Sequence, residues 1–228
     1  MAKKRREDYS NRIGRLYPEL GMAKSITFQV TDDCNLRCTY CYQHNKGNHR
    51  MSFETAKKAV DMIISGEKGI ADYLDYDHTG GLILDFIGGE PFLEIDLIDK
   101  ICEYYLTKAI ETGFRFAEAT KFSFSSNGVL YFDPRVQRYL DKYRNYVSLG
   151  ITVDGNQELH DKCRVFPNGC GSYALAHAAA DDLLKKGYDP GSKITISPEN
   201  LDYLYEAFKS FVDDGNIEIN ANTVFEDV

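Results

Sequence analysis

Residues 25–41 read SITFQVTDDCNLRCTYC, and the architecture of the chain turns on how that stretch is parsed. Residues 25–30 form a short β-rich run, the signature of a buried strand. The residues that follow place Cys34, Cys38 and Cys41 in a C-x3-C-x2-C pattern, with Tyr40 directly before the last cysteine. Three thiolates this close on a loop make a ligand set for a soft metal centre. An iron–sulfur cube takes four ligands and the loop offers three, so one iron stays open to something that is not protein. Other readings of the triplet fit less well. An odd set at this spacing does not pair into disulfides, and the N-terminal residues do not read as a secretory leader. A structural zinc site wants a second Cys or His pair at short spacing, which Cys163 and Cys170 match poorly. A ferredoxin run needs a fourth Cys and a Pro just after Cys41.

Outward from this stretch the chain alternates strand and helix patterns. Further strands are expected over 82–87, 121–126, 147–153, 193–197 and 216–220. Ser52 is the expected N-cap of a helix whose apolar face is Phe53, Ala56, Val60, Ile63 and Ile64. Ile98, Ile101, Cys102 and Tyr105 form the face of a second, which makes Cys102 a buried small hydrophobe. A shorter third helix is expected over 135–143, and a fourth over 173–186 with Gly187 as its stop. A fifth begins with Pro198 in its first turn and runs to about 212. Residues 66–81 read as a polar insertion.

Strand then helix, repeated five times and closed by a sixth strand, implies parallel strands joined by right-handed crossovers. The fold class is α/β, with the sheet either doubly wound or curled into an open barrel. In both, ligands collect at the carboxyl ends of the strands. The unusual loops fall there: the cysteine triplet after strand one, Gly88-Gly89-Glu90-Pro91 after strand two, Ser125–Gly128 (SSNG) at the end of strand three and Thr152–Gly155 (TVDG) at the end of strand four.

The run CNLRCTYC, followed by GGEP, SSNG, TVDG and then HDKCR (160–164), resembles the radical SAM superfamily over nearly the whole chain from residue 25. It is most similar to the peptide- and protein-modifying branch, which includes maturases of ribosomally made peptides and anaerobic sulfatase-maturing enzymes. The resemblance implies a parallel (β/α)6 partial TIM barrel over 25–228, after an N-terminal helical or tail segment over 1–24. That branch usually continues into a Cys-rich SPASM or twitch extension, which is expected to be absent or truncated here.

The resemblance further implies a [4Fe-4S] cluster held by Cys34, Cys38 and Cys41, with S-adenosylmethionine on the fourth iron. One-electron cleavage of the sulfonium would then give a 5′-deoxyadenosyl radical, chemistry that belongs to the cofactor while the protein binds and orients. Gly88 and Gly89 would let backbone approach the ligand, Pro91 would belong to the same cofactor-binding loop, and Glu90 would accept from the ligand's ammonium. Arg164 would grip its carboxylate with two hydrogen bonds. Ser125, Asn127, Thr152 and Asp154 would meet the ribose hydroxyls or the methionine end, and Tyr40 would lie beside the adenine. Plainer roles stand beside these: an ordinary turn for GGEP, a surface ion pair for Arg164 and core packing for Tyr40. Cys163 and Cys170 are expected to carry no metal, and His44 and His49 to set the polarity around the loop.

Composition limits the partners. The 228 residues include 27 Lys and Arg against 35 Asp and Glu, a formal charge of −8. That balance argues against nucleic acid, whose phosphates dominate affinity, and the basic run Lys3–Arg6 reads as a solvated tail. No run of apolar residues is long enough to span a membrane. The thiol content suits a reducing cytoplasm. The expected partners are a peptide or protein substrate and an external one-electron donor such as flavodoxin or ferredoxin. The alternatives are sulfatase-type maturation and a non-catalytic metal-binding or electron-transfer module.

Overall fold

The computed structural model describes residues 22–44, 46–67, 69–188, 192–198, 200–213 and 219–223. Among these residues the order is β1 (Lys24–Thr31), α1 (Phe53–Ser65), α2 (Ile70–Leu74), β2 (Leu82–Gly88), α3 (Ile95–Glu111), β3 (Thr120–Ser126), α4 (Pro134–Lys142), β4 (Val147–Thr152), α5 (Gln157–Cys163), α6 (Tyr173–Lys185), β5 (Ser192–Ile196), α7 (Leu204–Asp213) and β6 (Ile219–Thr223). Short 3-10 turns at Pro91–Glu94 and Leu201–Tyr203 lead into α3 and α7. The strands lie in chain order across one sheet, and β4–β5 and β5–β6 are parallel pairs. Parallel neighbours need a crossover between them, and the helices supply it.

Local chemistry sets the helix ends. Ser52 caps α1 by accepting from Thr55 N at 3.1 Å, and Gly66 closes it in the left-handed region. Ala56, Val60 and Ile63 are buried, as one face of a helix requires. Asp133 caps α4 ahead of a first-turn Pro134.

The chain divides into two compact units. The first, residues 1–28, 51–86 and 96–123, has an aromatic core. Phe86 packs on Phe28 at 5.6 Å between ring centroids, and Tyr105 meets Phe122 edge-on at 6.3 Å. Thr120 Oγ1 donates to the Phe116 carbonyl, so the buried Tyr105 hydroxyl is the donor in its 2.7 Å bond to Thr120. Cys102 is fully buried on α3. The second unit, residues 29–50, 87–95 and 124–228, packs Phe124 between Phe92 and Tyr139 at 5.6 Å each. Gly155 turns there with φ 83°, and a Cβ on it would lie 2.7 Å from that of Ala207, so glycine lets α7 close over the loop.

Five expected strands match to within one residue. The sixth is described over Ile219–Thr223, which overlaps the expected 216–220 and runs three residues past its end, while 214–218 lie outside the described residues. Its register is fixed by pairing with β5 from Ser192↔Ile219 to Ile196↔Thr223, which local alternation cannot reveal. The fifth expected helix starts at Leu204 rather than Pro198. Asn200 explains the delay: its side chain accepts from Ser197 N and donates to Thr195 O, at 2.8 Å each, holding the chain in a turn. The expected insertion contains α2, with Leu74 and Thr79 fully buried and the Thr79 hydroxyl bonded to the Leu74 carbonyl. Helix α5 was not expected, although Asn156 caps it by accepting from Leu159 N. Of the expected 1–24 segment, residues 1–21 lie outside the described residues.

Candidate functional site

The cysteine loop is a ring fastened at its base and on its far side. At the base, Asp32 N donates to His49 O at 3.0 Å, and Thr31 pairs with Arg50 in an antiparallel bridge. Opposite, Arg37 N donates to Val165 O at 2.7 Å and Thr39 N to Cys163 O at 2.9 Å. Leu36 is fully buried between the first two cysteines, an apolar anchor in a polar loop. The Arg37 guanidinium caps the carbonyls of Cys34 and Leu36 at 2.6 and 2.9 Å. None of the cysteines is in a disulfide. Burial pushes the thiol pKa of Cys34 and of Cys38 up, so in protein alone both favour the neutral thiol. Lys46 folds back to bring its ammonium 3.1 Å from Cys41 Sγ.

Tyr40 links the ring to the loops after β4. Its hydroxyl donates to Asp154 Oδ2 and accepts from Arg164 Nη1 at 2.6 Å. Asp154, buried, also accepts from Thr195 N at 2.9 Å, and its own N–H donates to His160 Nδ1 at 3.2 Å. Ser172 Oγ donates to the Arg164 carbonyl, so it accepts from His160 Nε2–H at 2.9 Å. His160 is therefore the neutral Nε2–H tautomer. Burial, helped by the Arg164 charge, lowers its pKa to about 3, in agreement with those partners. For Arg164, burial works against the charge, but the Asp154 carboxylate and the hydrogen bond to Tyr40 outweigh it and hold the guanidinium protonated. Its Nε is buried without a hydrogen-bond partner.

The GGEP loop lies under the cysteine loop. Gly89 N donates to Thr31 O at 3.0 Å and Glu90 N to Asp33 O at 2.9 Å. A Cβ on Gly88 would stand 2.6 Å from the Thr31 carbonyl oxygen, and one on Gly89 would overlap the Asp33 carbonyl. What these glycines admit is the backbone of the cysteine loop itself, and that near contact is why side chains are excluded. The Glu90 carboxylate is 1% exposed and accepts from Phe92 N, Ser126 Oγ and Asn127 N at 3.1, 2.8 and 2.8 Å. It clasps the third loop to the second. Burial raises its pKa, against the pull of those three donors. Asn127 is similarly engaged: its Oδ1 accepts from Val129 N at 3.0 Å and its Nδ2 donates to Asn35 Oδ1 at 2.7 Å.

These loops enclose a cavity of about 370 Å³. Of the expected residues, Cys34, Cys38, Cys41, Tyr40, Gly88, Gly89, Glu90, Ser125, Asn127, Thr152 and Arg164 line it. Pro91 and Asp154 do not: Pro91 is buried at the start of the 3-10 turn, and Asp154 sits behind Tyr40. Sequence reasoning missed Tyr42, Lys46, Ile87, Ser126, Thr195, Asn222 and Thr223, which also line it. Thr195, Asn222 and Thr223 carried a signal, since they sit on the last two strands of a sheet whose other strand ends all bear site loops.

The lining fits the cofactors that the motifs imply. No three His, Cys, Asp or Glu side chains among the described residues close on a single-ion position. A cube takes one thiolate per iron, and three cysteines lining one cavity suit that arrangement. Arg164, whose Nε is buried without a hydrogen-bond partner, lines the same cavity, and a guanidinium suits a carboxylate ligand. No helix among the described residues is long and apolar enough to cross a membrane.

Comparison with known proteins agrees. The sequence model of the Radical SAM superfamily matches residues 28–211. An uncharacterized protein of Methanocaldococcus jannaschii is 29% identical over 191 residues, which cover 83% of this chain and 58% of that protein. A serine-type anaerobic sulfatase-maturating enzyme of Bacteroides thetaiotaomicron is 24% identical over 78% of this chain and 40% of its own length. Among solved structures, anSMEcpe with bound AdoMet and the Kp18Cys peptide matches 90% of this chain and 52% of that one, with a TM-score of 0.72 at 19% identity. Streptococcus suis SuiB bound to its precursor peptide SuiA matches 93% of this chain and 42% of that one, at 0.60 and 12%. These likenesses establish the fold, a parallel α/β partial barrel. The chain spans about half the length of the relatives it matches.

Proposed function

The chain belongs to the radical SAM superfamily, and on that premise we propose that it cleaves S-adenosylmethionine reductively and directs the radical to a side chain of a peptide or protein, as in maturation of ribosomally made peptides. One observation carries the site: three cysteines outside any disulfide line the same cavity as Arg164, whose Nε is buried without a hydrogen-bond partner. Cys34, Cys38 and Cys41 hold the [4Fe-4S] cluster. The cofactor pair, when bound, supplies a 5′-deoxyadenosyl radical by one-electron cleavage of the sulfonium.

The chain's own residues bind and orient. Arg164 takes the ligand carboxylate on its Nε edge, while Nη1 stays on Tyr40. Glu90 and Asn127 act mainly by holding the second and third loops in register, since their polar atoms are engaged with protein. Ser125, Thr152 and Thr195 present hydroxyls along the strand ends for the nucleoside. Asp154 fixes Tyr40 against the ring from behind. The cavity's three-cysteine wall excludes bulk water best when filled, which protects a carbon radical from quenching.

The peptide class is supported by two structural neighbours that hold peptides, and a one-electron donor such as flavodoxin or ferredoxin, in a reducing cytoplasm, completes the reaction. Protein reconstituted anaerobically with iron and sulfide should turn brown and release 5′-deoxyadenosine on addition of dithionite and S-adenosylmethionine. A colourless zinc protein, or a brown one releasing none, would overturn the reading. Cys38→Ala should lose the colour. A second reading, oxidation of a Cys or Ser to formylglycine, is favoured by the similarity to the sulfatase-maturating enzyme. Mass spectrometry of sulfatase-type and precursor-type peptides after turnover separates the two.

A further inference from the structure

Two of the three cysteines border two cavities. Cys38 and Cys41 line the inner cavity, and they also line an outer hollow of about 440 Å³ completed by Arg37, Thr39, Gln43, His44 and Lys46. The hollow opens on the side of the loop where Arg37, Thr39 and His44 are exposed. None of the residues that line it is acidic. Residues 34–50 contain Arg37, Lys46 and Arg50 and no Asp or Glu, in a chain whose formal charge is −8; Arg50 is paired with Glu94 at 3.0 Å, so Arg37 and Lys46 set the sign at the hollow. The nearest acids in sequence, Asp32 and Asp33, lie 3.4 Å from His49 and 3.9 Å from Arg50.

We propose that this hollow is the docking face for a reduced one-electron carrier protein with an acidic surface. The inference rests on the radical SAM reading of the site. Metal held by Cys38 and Cys41 is separated from the hollow by the ligands themselves, so a carrier seated there has the shortest protein path to it. The exchange moves one electron: the carrier is oxidised by one, the centre behind the wall is reduced by one, and no bond is made or broken at the interface. Net charge alone would repel an acidic carrier. At physiological ionic strength, however, charges more than about 8 Å apart are largely screened. The partner therefore feels the local sign, and a cationic wall in an acidic protein directs it to one place.

The test uses the full chain with its cluster reconstituted and flavodoxin, an acidic flavin carrier, as the probe, with binding measured anaerobically at low and moderate salt. Thr39→Glu and His44→Glu add negative charge to the rim without touching a ligand sulfur. Each should raise the flavodoxin Kd at least threefold and the pair tenfold or more, with the wild-type Kd also rising with salt. Lys209→Glu, a charge reversal on α7, should leave Kd within twofold. Unchanged binding in the rim pair, or an equal loss in Lys209→Glu, would overturn the proposal. Melting temperature and cluster absorbance report whether the variants are folded and loaded. Dithionite needs no docking face, so the rim pair should release 5′-deoxyadenosine under dithionite within twofold of wild type. Failure of the wild type to do so counts against the functional reading, while the binding comparison still decides the docking face.

Discussion

The Lys46 ammonium lies 3.1 Å from the Cys41 sulfur, a charge-assisted contact to one of three clustered thiols. A positive charge and a hydrogen bond at a ligand sulfur favour the reduced, more negative state of an iron–sulfur centre. Lys46→Met keeps the aliphatic stem and removes both. The reduction potential of the reconstituted protein should fall by tens of millivolts in a titration followed by electron paramagnetic resonance. An unchanged potential would mean that the ammonium leaves the sulfur once metal is bound.

Arg164 has Nη1 bonded to Tyr40 and its Nε buried without a partner. Lysine keeps the charge and loses the planar fork. Arg164→Lys should weaken S-adenosylmethionine binding by about tenfold, the equivalent of one good hydrogen bond. Calorimetric titration of loaded protein reads this, with cluster absorbance unaltered. Equal affinity would place the ligand's carboxylate elsewhere.

Gly89 is crossed by the Asp33 carbonyl so closely that no Cβ fits. The obstacle is backbone, which has no rotamer to change. Gly89→Ala should cost about 1–3 kcal/mol, in the range of overpacking substitutions. A lower melting temperature together with reduced iron content checks it, because the displaced segment carries Cys34.

His160 sets an acid limit on stability. Its pKa is lowered to about 3 in the folded protein, whereas an unfolded histidine titrates near 6.5. Between those values the unfolded chain takes up a proton that the folded chain refuses. The stability tied to this group is complete above about pH 6.5 and is lost as pH falls, by about tenfold in the folding equilibrium per unit. Urea unfolding between about pH 5 and 6.5 should show that slope, and His160→Gln should flatten it. An equal slope in the variant would assign the acid sensitivity to other groups.

The site was legible in the sequence where a residue's function depends on its own loop. The cysteine spacing, the paired glycines and Arg164 all announce themselves within a few positions, and the structure brings them to one wall. Lys46 did not, because its approach to Cys41 depends on a reversal of the chain that leaves no periodic trace. Glu90 and Asn127 were found as loop residues, but their bonds to neighbouring loops were not, because spacing does not tell which loop a carboxylate or amide will meet. Strand positions came easily until β6, whose register belongs to its pairing with β5.

The bonds that fasten the cysteine ring run from backbone to backbone at Asp32–His49, Arg37–Val165 and Thr39–Cys163, and through the Tyr40 hydroxyl. None of them uses a ligand sulfur. The entropy of closing the loop is thus incurred when the polypeptide folds, not when iron arrives. A finished cube would meet a loop whose main-chain bonds do not depend on it. Oxygen that strips the iron out should leave that loop standing, so that repair is a refilling in place and not a second round of folding.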